Sequence, residues 1–364
     1  MRHFPRMDTS SKPHFVFLDG LRGLAALWVA VYHLSQMFRT PLKPEHAYLA
    51  VDFFFCLSGF VVAVAYDDRM NAGMGVIDFL KRRLVRLYPM IAFGVVLGAG
   101  VVGGEWLAYG TGSLKTWLVL TATSFFLFPI GFFYPGLSAY PINSPLWSLA
   151  FELFANLIYA LKVGWTAKSR IVVAGFMVVL GALLLVPIHK AGTIQAVGFY
   201  NPSAFAEGTI RVLYPFFAGV IFWRAGWFQR VAAVPDLLLG AILSLMLAMP
   251  LFVLSQPYEA AAVLLVAPAL VLFGAKARVM AFFDPLWRAL GRLSYPLYLV
   301  HMPIGIACVH LYWASGSRIS PYIGVGLTLS VASALAWSVM KLYDEPVRRW
   351  LAKPRTRLKP LLAR

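Results

Sequence analysis

The sequence predicts an all-α fold, a polytopic bundle of transmembrane helices, and three observations predict it. Of 364 residues, 60% are hydrophobic and 13% charged, against about 25% charged in soluble domains. Mean hydropathy is +0.74. Apolar runs of about twenty residues recur along the whole chain, the length that crosses a hydrocarbon core. A soluble enzyme with a large core does not account for that recurrence. The net charge of +17 raises nucleic acid as a partner. The basic residues, however, sit in short segments between apolar runs, as membrane topology requires. The expected partner of the chain is therefore the lipid bilayer, with no nucleic acid.

The first run, residues 15–38, carries Asp19, Arg22 and His33. An ionisable group at the centre of a spanning helix costs roughly 2.5–3.5 kcal/mol on insertion scales, so the default reading is functional. Asp19 and Arg22, three apart, can pair. The step from Arg22 to His33 returns to within about 20° of the same face and climbs about 16 Å. One face of one helix thus presents a carboxylate, a guanidinium and an imidazole at different depths. Arg2, Arg6 and Lys12 precede the run, which is too long for a signal peptide and lacks a small-residue cleavage site. It is read as a retained first helix.

Further apolar runs follow at 48–66, 89–108, 114–130, 146–162, 170–188, 208–223, 235–254, 259–274, 291–312 and 320–341. Basic clusters lie after the second run (Arg69, Lys81, Arg82, Arg83, Arg86), at Lys162, Lys168 and Arg170, and at Arg224 and Arg230. Others occupy Lys276, Arg278, Arg288 and Arg292, and the tail from Lys341. All are expected on the cytoplasmic side. That requires two crossings between Arg86 and Lys162, where three runs lie. The run at 114–130, short, hydroxyl-bearing and closed by Pro129, is expected to stay at the outer interface. The expectation is about ten crossing helices plus one re-entrant or interfacial segment, with both termini cytoplasmic. Residues 1–14 form an N-terminal cytoplasmic segment, 15–342 the membrane domain, and 343–364 a basic tail suited to anionic lipid.

The uncharged loop 131–145 reads as an interfacial lid or acceptor groove, or as an ordinary aromatic belt. The loop 189–207, with Tyr200, Asn201 and Glu207, offers polar groups to an acceptor. Cys56 and Cys308 fall inside apolar runs as core residues and define neither a disulfide nor a metal framework.

His33 has the chemistry to take a hydroxyl proton at neutral pH, or to carry an acyl group covalently. Arg22 offers a fork of donors to phosphate or carbonyl oxygens, with Asp19 as its partner. Arg83 and Arg86 share one side of a helical segment, a workable phosphate clamp, whereas topology alone explains Arg82. Trp147 and Ser148 either line a pocket or pack. Glu152 is expected to meet an arginine across helices. Asp52 either touches His33 or lies at the interface, and Ser58, in LSGF, reads as a small packing residue. His301, following Tyr295 and Tyr298, is a hydrogen-bonded core residue or a functional one. Glu345, near Arg348, reads first as a salt bridge at the cytoplasmic end.

The stretch Leu18-Asp19-Gly20-Leu21-Arg22-Gly23, with His33 following, resembles the first-span signature of the acyltransferase 3 family of integral membrane O-acyltransferases acting on surface glycans. The resemblance continues through VDFFFCLSGFV at 51–61, FLKRRLVRLYP at 79–89, SPLWSLAFELF at 144–154, GRLSYPLYLVHMPI at 291–304 and YDEPVRRWL at 343–351. One departure is that Ala150 and Phe151 precede a single Glu152 where many members show a second acid.

The resemblance implies transfer of an acetyl or other short acyl group from cytoplasmic acyl-CoA, with acetyl-CoA as the expected co-substrate, to a hydroxyl of a surface carbohydrate or lipid-linked glycan. Catalysis would fall to His33, Arg22 and Asp19, and donor binding to Arg83, Arg86 and Arg22. Trp147, Ser148, Glu152, Ser58 and His301 would form the pocket. It implies no tightly bound cofactor, no metal, and a bacterial inner membrane location. Some relatives carry a soluble hydrolase-like domain; without one, direct transfer or a separate extracytoplasmic transferase partner is expected. A transporter or flippase for an acyl or glycan substrate is the alternative, since intramembrane charges also mark substrate paths. A non-catalytic scaffold is a third reading.

Overall fold

A computed structural model describes residues 13–110, 112–134, 137–161, 170–196, 201–250 and 255–352. Arg2, Arg6, Lys12, Lys162, Lys168, Tyr200 and the tail beyond Ala352 lie outside the described residues. Among the described residues the regular structure is helical, and one isolated bridge between Pro235 and Arg278 builds no sheet.

The helices are α1 (Val16–Met37), α2 (Ala50–Asn71), α3 (Val76–Tyr109), α4 (Leu114–Phe125), α5 (Leu146–Ala160), α6 (Arg170–Ala191), α7 (Pro202–Arg224), α8 (Asp236–Ala248), α9 (Ser255–Gly274), α10 (Asp284–Ala314) and α11 (Pro321–Ala352). Among the described residues, seven are long and apolar enough to cross a membrane: α1, α2, α3, α7, α9, α10 and α11. Shorter apolar helices are α5, α8 and the Gly175–Ala191 part of α6. Helix α4 has 12 residues, about 18 Å of rise, against roughly 30 Å of hydrocarbon.

Helix pairing bears directly on α4. Asp19 and Gly23 of α1 meet Gly291 and Leu290 of α10, while Leu34 and Met37 further along α1 meet Gly305 further along α10. The two helices therefore run parallel. Helices α2 and α7 are also parallel, since Asp52 meets Arg211 and Asp67 meets Arg224. So are α3 and α10, through Leu87 with Tyr295 and Gly94 with Leu299. In a chain that alternates direction at each crossing, counting α4 as a crossing would make all three pairs antiparallel. Leaving it out makes them parallel, as the distribution of basic residues requires.

Lipid tails are as apolar as leucine, so helices in a bilayer associate through close packing of small residues. A Cβ on Gly23 would overlap the Leu290 carbonyl, one on Gly59 of α2 the Phe216 carbonyl of α7, and one on Gly219 of α7 the Cys56 carbonyl. These glycines let backbones touch. In LSGF the packing role thus belongs to Gly59, and Ser58 is free for hydrogen bonding. Helix α3 has 34 residues, about 51 Å. Its turns before Pro89 hold Lys81, Arg82, Arg83 and Arg86, so the charged part extends beyond the apolar part at one end.

Several expectations change at the end of the bundle opposite those arginines. Asp52 is fully buried and pairs with neither His33 nor solvent. Its carboxylate accepts from Arg211 Nε at 2.9 Å and Nη2 at 2.8 Å. Arg211, 1% exposed, also donates to the carbonyls of Ile194 and Tyr48. Beside it, Glu259 accepts from Tyr48 Oη at 2.6 Å, Thr193 Oγ1 at 2.9 Å and the Ile194 amide at 2.6 Å. Loop 131–145 is not wholly a free lid: Ala139, Tyr140 and Ile142 are buried, and Asn143 donates to the carbonyls of Gly94 and Leu299. Asn201 caps α7, accepting from the Ala204 amide. Cys56 is buried and Cys308 half-buried, both as free thiols.

Breaking a buried ion pair by removing one partner costs about 3–5 kcal/mol, more than replacing both by apolar groups. Arg211→Met should therefore lower the melting temperature in detergent sharply, and adding Asp52→Leu should recover much of the loss.

Candidate active site

A cavity of about 490 Å³ opens among α1, α2, α3, α5, α10 and α11. At its mouth stand Arg86, Arg288, Arg292 and Arg348. Arg288 is paired with Asp284 at 2.6 Å, Arg292 with Glu345 at 2.7 Å and Arg348 with Asp344 at 2.6 Å. Glu345 thus forms the expected salt bridge, although with Arg292 and Lys341 as well as with Arg349 rather than Arg348. Arg86 is exposed and makes no ion pair with a described residue.

Further in, Arg22 holds α1 to α10. Its Nη2 lies 3.0 Å from Asp19 Oδ1, its Nε donates to Ser294 Oγ at 3.0 Å, and Nη2 reaches the Gly291 carbonyl at 3.4 Å. Asp19 is accordingly Arg22's partner, shared with His14 at 3.0 Å. Arg83 turns inward, 4% exposed, and its Nη2 donates to Glu152 Oε1 at 2.5 Å. The same oxygen accepts from Ser58 Oγ at 2.8 Å. The expected cross-helix partner of Glu152 is therefore Arg83, and Ser58 is a polar contact rather than a packing residue. Arg83 Nε is buried with no hydrogen-bond partner, although a buried polar group ordinarily has one. Arg83 and Arg86 both line the cavity, as their spacing predicts.

The inner end is formed by Ala26 of α1, Phe54 and Phe55 of α2, Ser148 of α5 and Tyr298 of α10. Ser148 Oγ lies 3.0 Å from the Pro145 carbonyl and 2.8 Å from Tyr298 Oη. The carbonyl can only accept, so Ser148 donates to it and Tyr298 donates to Ser148. Trp147 lies off the cavity wall. It packs edge-on against Phe55 and Phe151, with the Arg211 guanidinium 5.5 Å from its ring centroid.

His33 is not on the cavity wall either. It stands seven residues beyond Ala26 on the same face, about 10 Å further along α1. Its Nδ1 is 2.9 Å from Nε2 of His301, with the ring centroids 5.2 Å apart and the ring planes 14° from parallel, so the rings meet edge to edge. His301 is fully buried, with its Nδ1 3.1 Å from the Leu297 carbonyl. The Tyr298 ring lies 5.9 Å from that of His301, linking the inner end of the cavity to the histidine pair. The sequence singled out both histidines without indicating that they meet. It also gave no sign of the Arg211 network, although an arginine inside the run 208–223 invites the same cost argument as Arg22.

The bundle thus holds a cavity ringed by arginines at one end and a histidine pair further along the same two helices. The chain belongs to the acyltransferase 3 family, whose acyltransferase-domain profile matches residues 15–340, and it is an acyltransferase. Among curated proteins it is similar to Protein 2 in picA locus of Rhizobium radiobacter, 33% identical over 192 residues, 49% of this chain and 96% of that protein. It is also similar to the O-acetyltransferase OatA of Staphylococcus aureus, 30% identical over 95 residues, 25% of this chain and 15% of OatA. YrhL of Bacillus subtilis is 30% identical over 189 residues, 48% of this chain and 28% of its own length. The chain thus spans only a fraction of the two longer relatives. No solved structure matches.

Lysine at position 22 would keep the charge but replace a planar fork by one ammonium. It cannot hold Asp19, Ser294 and the Gly291 carbonyl in one geometry. Arg22→Lys should slow acyl transfer about 10–100-fold, the scale of a small misplacement in an active site, with the yield of folded protein preserved.

Proposed function

We propose that the protein moves an acetyl or other short acyl group from cytoplasmic acyl-CoA to a hydroxyl of a surface carbohydrate or lipid-linked glycan. The observation that carries this reading is the arrangement along α1 and α10: arginines at one end and His33 with His301 further along. Both termini are cytoplasmic in this reading, so the mouth faces the cytoplasm and His33 lies toward the outer half of the bilayer. The membrane is the bacterial inner membrane. The O-acetyltransferase name of OatA agrees with acetyl as the group moved, and the peptidoglycan O-acetyltransferase name of YrhL with a glycan acceptor.

The donor's phosphates meet Arg86 and the neighbouring arginines at the mouth, where charge-assisted hydrogen bonds are strongest. Arg83 Nε offers a further donor to a polar group of the ligand. The pantetheine arm then extends along the face that links Arg22 to His33, about 16 Å of helix rise. Passage from the inner end of the cavity to His33 requires movement of side chains near Tyr298. The acceptor hydroxyl gives its proton to His33, its oxygen attacks the thioester carbon, and the carbon–sulfur bond breaks. The leaving thiolate takes the proton back from His33.

His33→Ala should lower acyl transfer by about 10²–10⁴-fold, the usual range for a general base, while acetyl-CoA still raises the melting temperature. Full activity in this variant would overturn the mechanism. Arg86→Ala should shrink the acetyl-CoA-induced thermal shift at concentrations near half-saturation. An equal shift in both proteins would exclude Arg86 from the donor site.

A further inference from the structure

We infer that His301 is a positioning residue that fixes the proton on His33 Nδ1 and so leaves His33 Nε2 as the basic nitrogen. The inference rests on the reading of His33 as general base and specifies which atom performs it. It follows from hydrogen-bond direction. The Leu297 carbonyl only accepts, so the His301 nitrogen facing it at 3.1 Å, Nδ1, is the one bearing hydrogen. His301 is fully buried among apolar helices, where a charged imidazolium without a counter-ion is strongly disfavoured. It is therefore neutral, with one N–H, and its Nε2 carries a lone pair.

That lone pair faces His33 Nδ1 at 2.9 Å. Two lone pairs at that distance would repel, so Nδ1 of His33 donates. A neutral His33 then has its own lone pair on Nε2. Nε2 has no hydrogen-bond partner among the described residues, and His33 is partly accessible where His301 is not. The chain Leu297 carbonyl, His301, His33 has one consistent direction, ending on the nitrogen open to a substrate.

During the reaction Nε2 takes the hydroxyl proton and His33 becomes an imidazolium whose Nδ1–H still donates to His301. His301 holds the ring through the charged state and neither gains nor loses a proton. Its place corresponds to that of the carboxylate in a serine-hydrolase triad, with a neutral acceptor in place of an anion.

The experiment uses the full-length protein in detergent or nanodiscs with acetyl-CoA as donor. His301→Leu conserves volume but removes the acceptor, while His301→Gln places an amide oxygen near the position of Nε2. Leu should lower kcat about 100-fold with KM for acetyl-CoA unchanged, and Gln should restore activity to within about tenfold of wild type. Equal losses in Leu and Gln variants of wild-type melting temperature, or wild-type kcat in the Leu variant, would overturn the inference. If either variant fails to fold, long-range 15N–1H correlation spectra of wild-type protein labelled at histidine decide the matter. His33 should appear as the Nδ1–H tautomer, and an Nε2–H signal would overturn it. A His33→Ala variant with full activity removes the general-base reading itself. An inactive His33→Ala beside a fully active His301→Leu removes only the role of His301.

Discussion

The contact between α1 and α10 is the constraint on which the site depends. Gly23 lies against the Leu290 carbonyl and Gly291 against Asp19, so the backbones approach closely enough for short side chains to bridge them. Both polar pairings follow from that approach: Arg22 with Ser294 near the mouth and His33 with His301 further along. A larger residue at any of these glycines would push the helices apart and lengthen both contacts together. In a bilayer no hydrophobic force would draw them back, because lipid solvates apolar surface as well as a neighbouring helix does. Small residues therefore set the geometry, and the polar residues inherit it.

Charge is distributed in the bundle by the same economy. Four intramembrane carboxylates have arginine partners: Asp52 has Arg211, Glu152 has Arg83, Asp67 has Arg224 and Asp19 has Arg22. The partners come from different helices in all but the last. A buried pair contributes little net stability against a well-packed apolar pair, yet it is costly to break. It therefore fixes which helices meet and in what register. Asp52 with Arg211 and Asp67 with Arg224 fasten α2 to α7 near both ends, and Gly59 against Phe216 lies between them.

Local features carried most of what was legible in the sequence. Apolar runs located the helices, and the placement of lysines and arginines singled out 114–130 as the run that does not cross. The parallel pairings of α1 with α10, α2 with α7 and α3 with α10 agree with that choice. Within one helix, spacing was sufficient: Asp19 with Arg22, and Arg83 with Arg86 on one side. What the sequence withheld was long-range pairing. Nothing near Asp52 points to Arg211, 159 positions away, and nothing near His33 points to His301, 268 positions away. Periodicity records which face of a helix is apolar, not which helix that face meets. Trp147 illustrates the same limit: a buried tryptophan looks alike whether its ring faces a cavity or, as here, an arginine.

The proposed mechanism divides two physical tasks between the two ends of one helix pair. Binding an anionic co-substrate calls for fixed positive charge, which is tolerable where the helices extend into water and the arginines are paired or solvated. Proton transfer calls for a group that changes charge, and deep in the bundle a permanently ionised partner would bring its own desolvation cost. In the mechanism proposed above, two neutral imidazoles bear that cost only while His33 is transiently protonated. A carboxylate in the place of His301 would stabilise the imidazolium more strongly, but it would need a counter-ion or several hydrogen-bond donors whenever His33 is neutral. Asp52 and Glu152 show the first route, each held by an arginine, and Glu259 the second, held by Tyr48, Thr193 and the Ile194 amide. A histidine pair avoids that requirement, which explains why the region around His33 and His301 is polar yet carries no fixed charge on either ring's hydrogen-bonded neighbours.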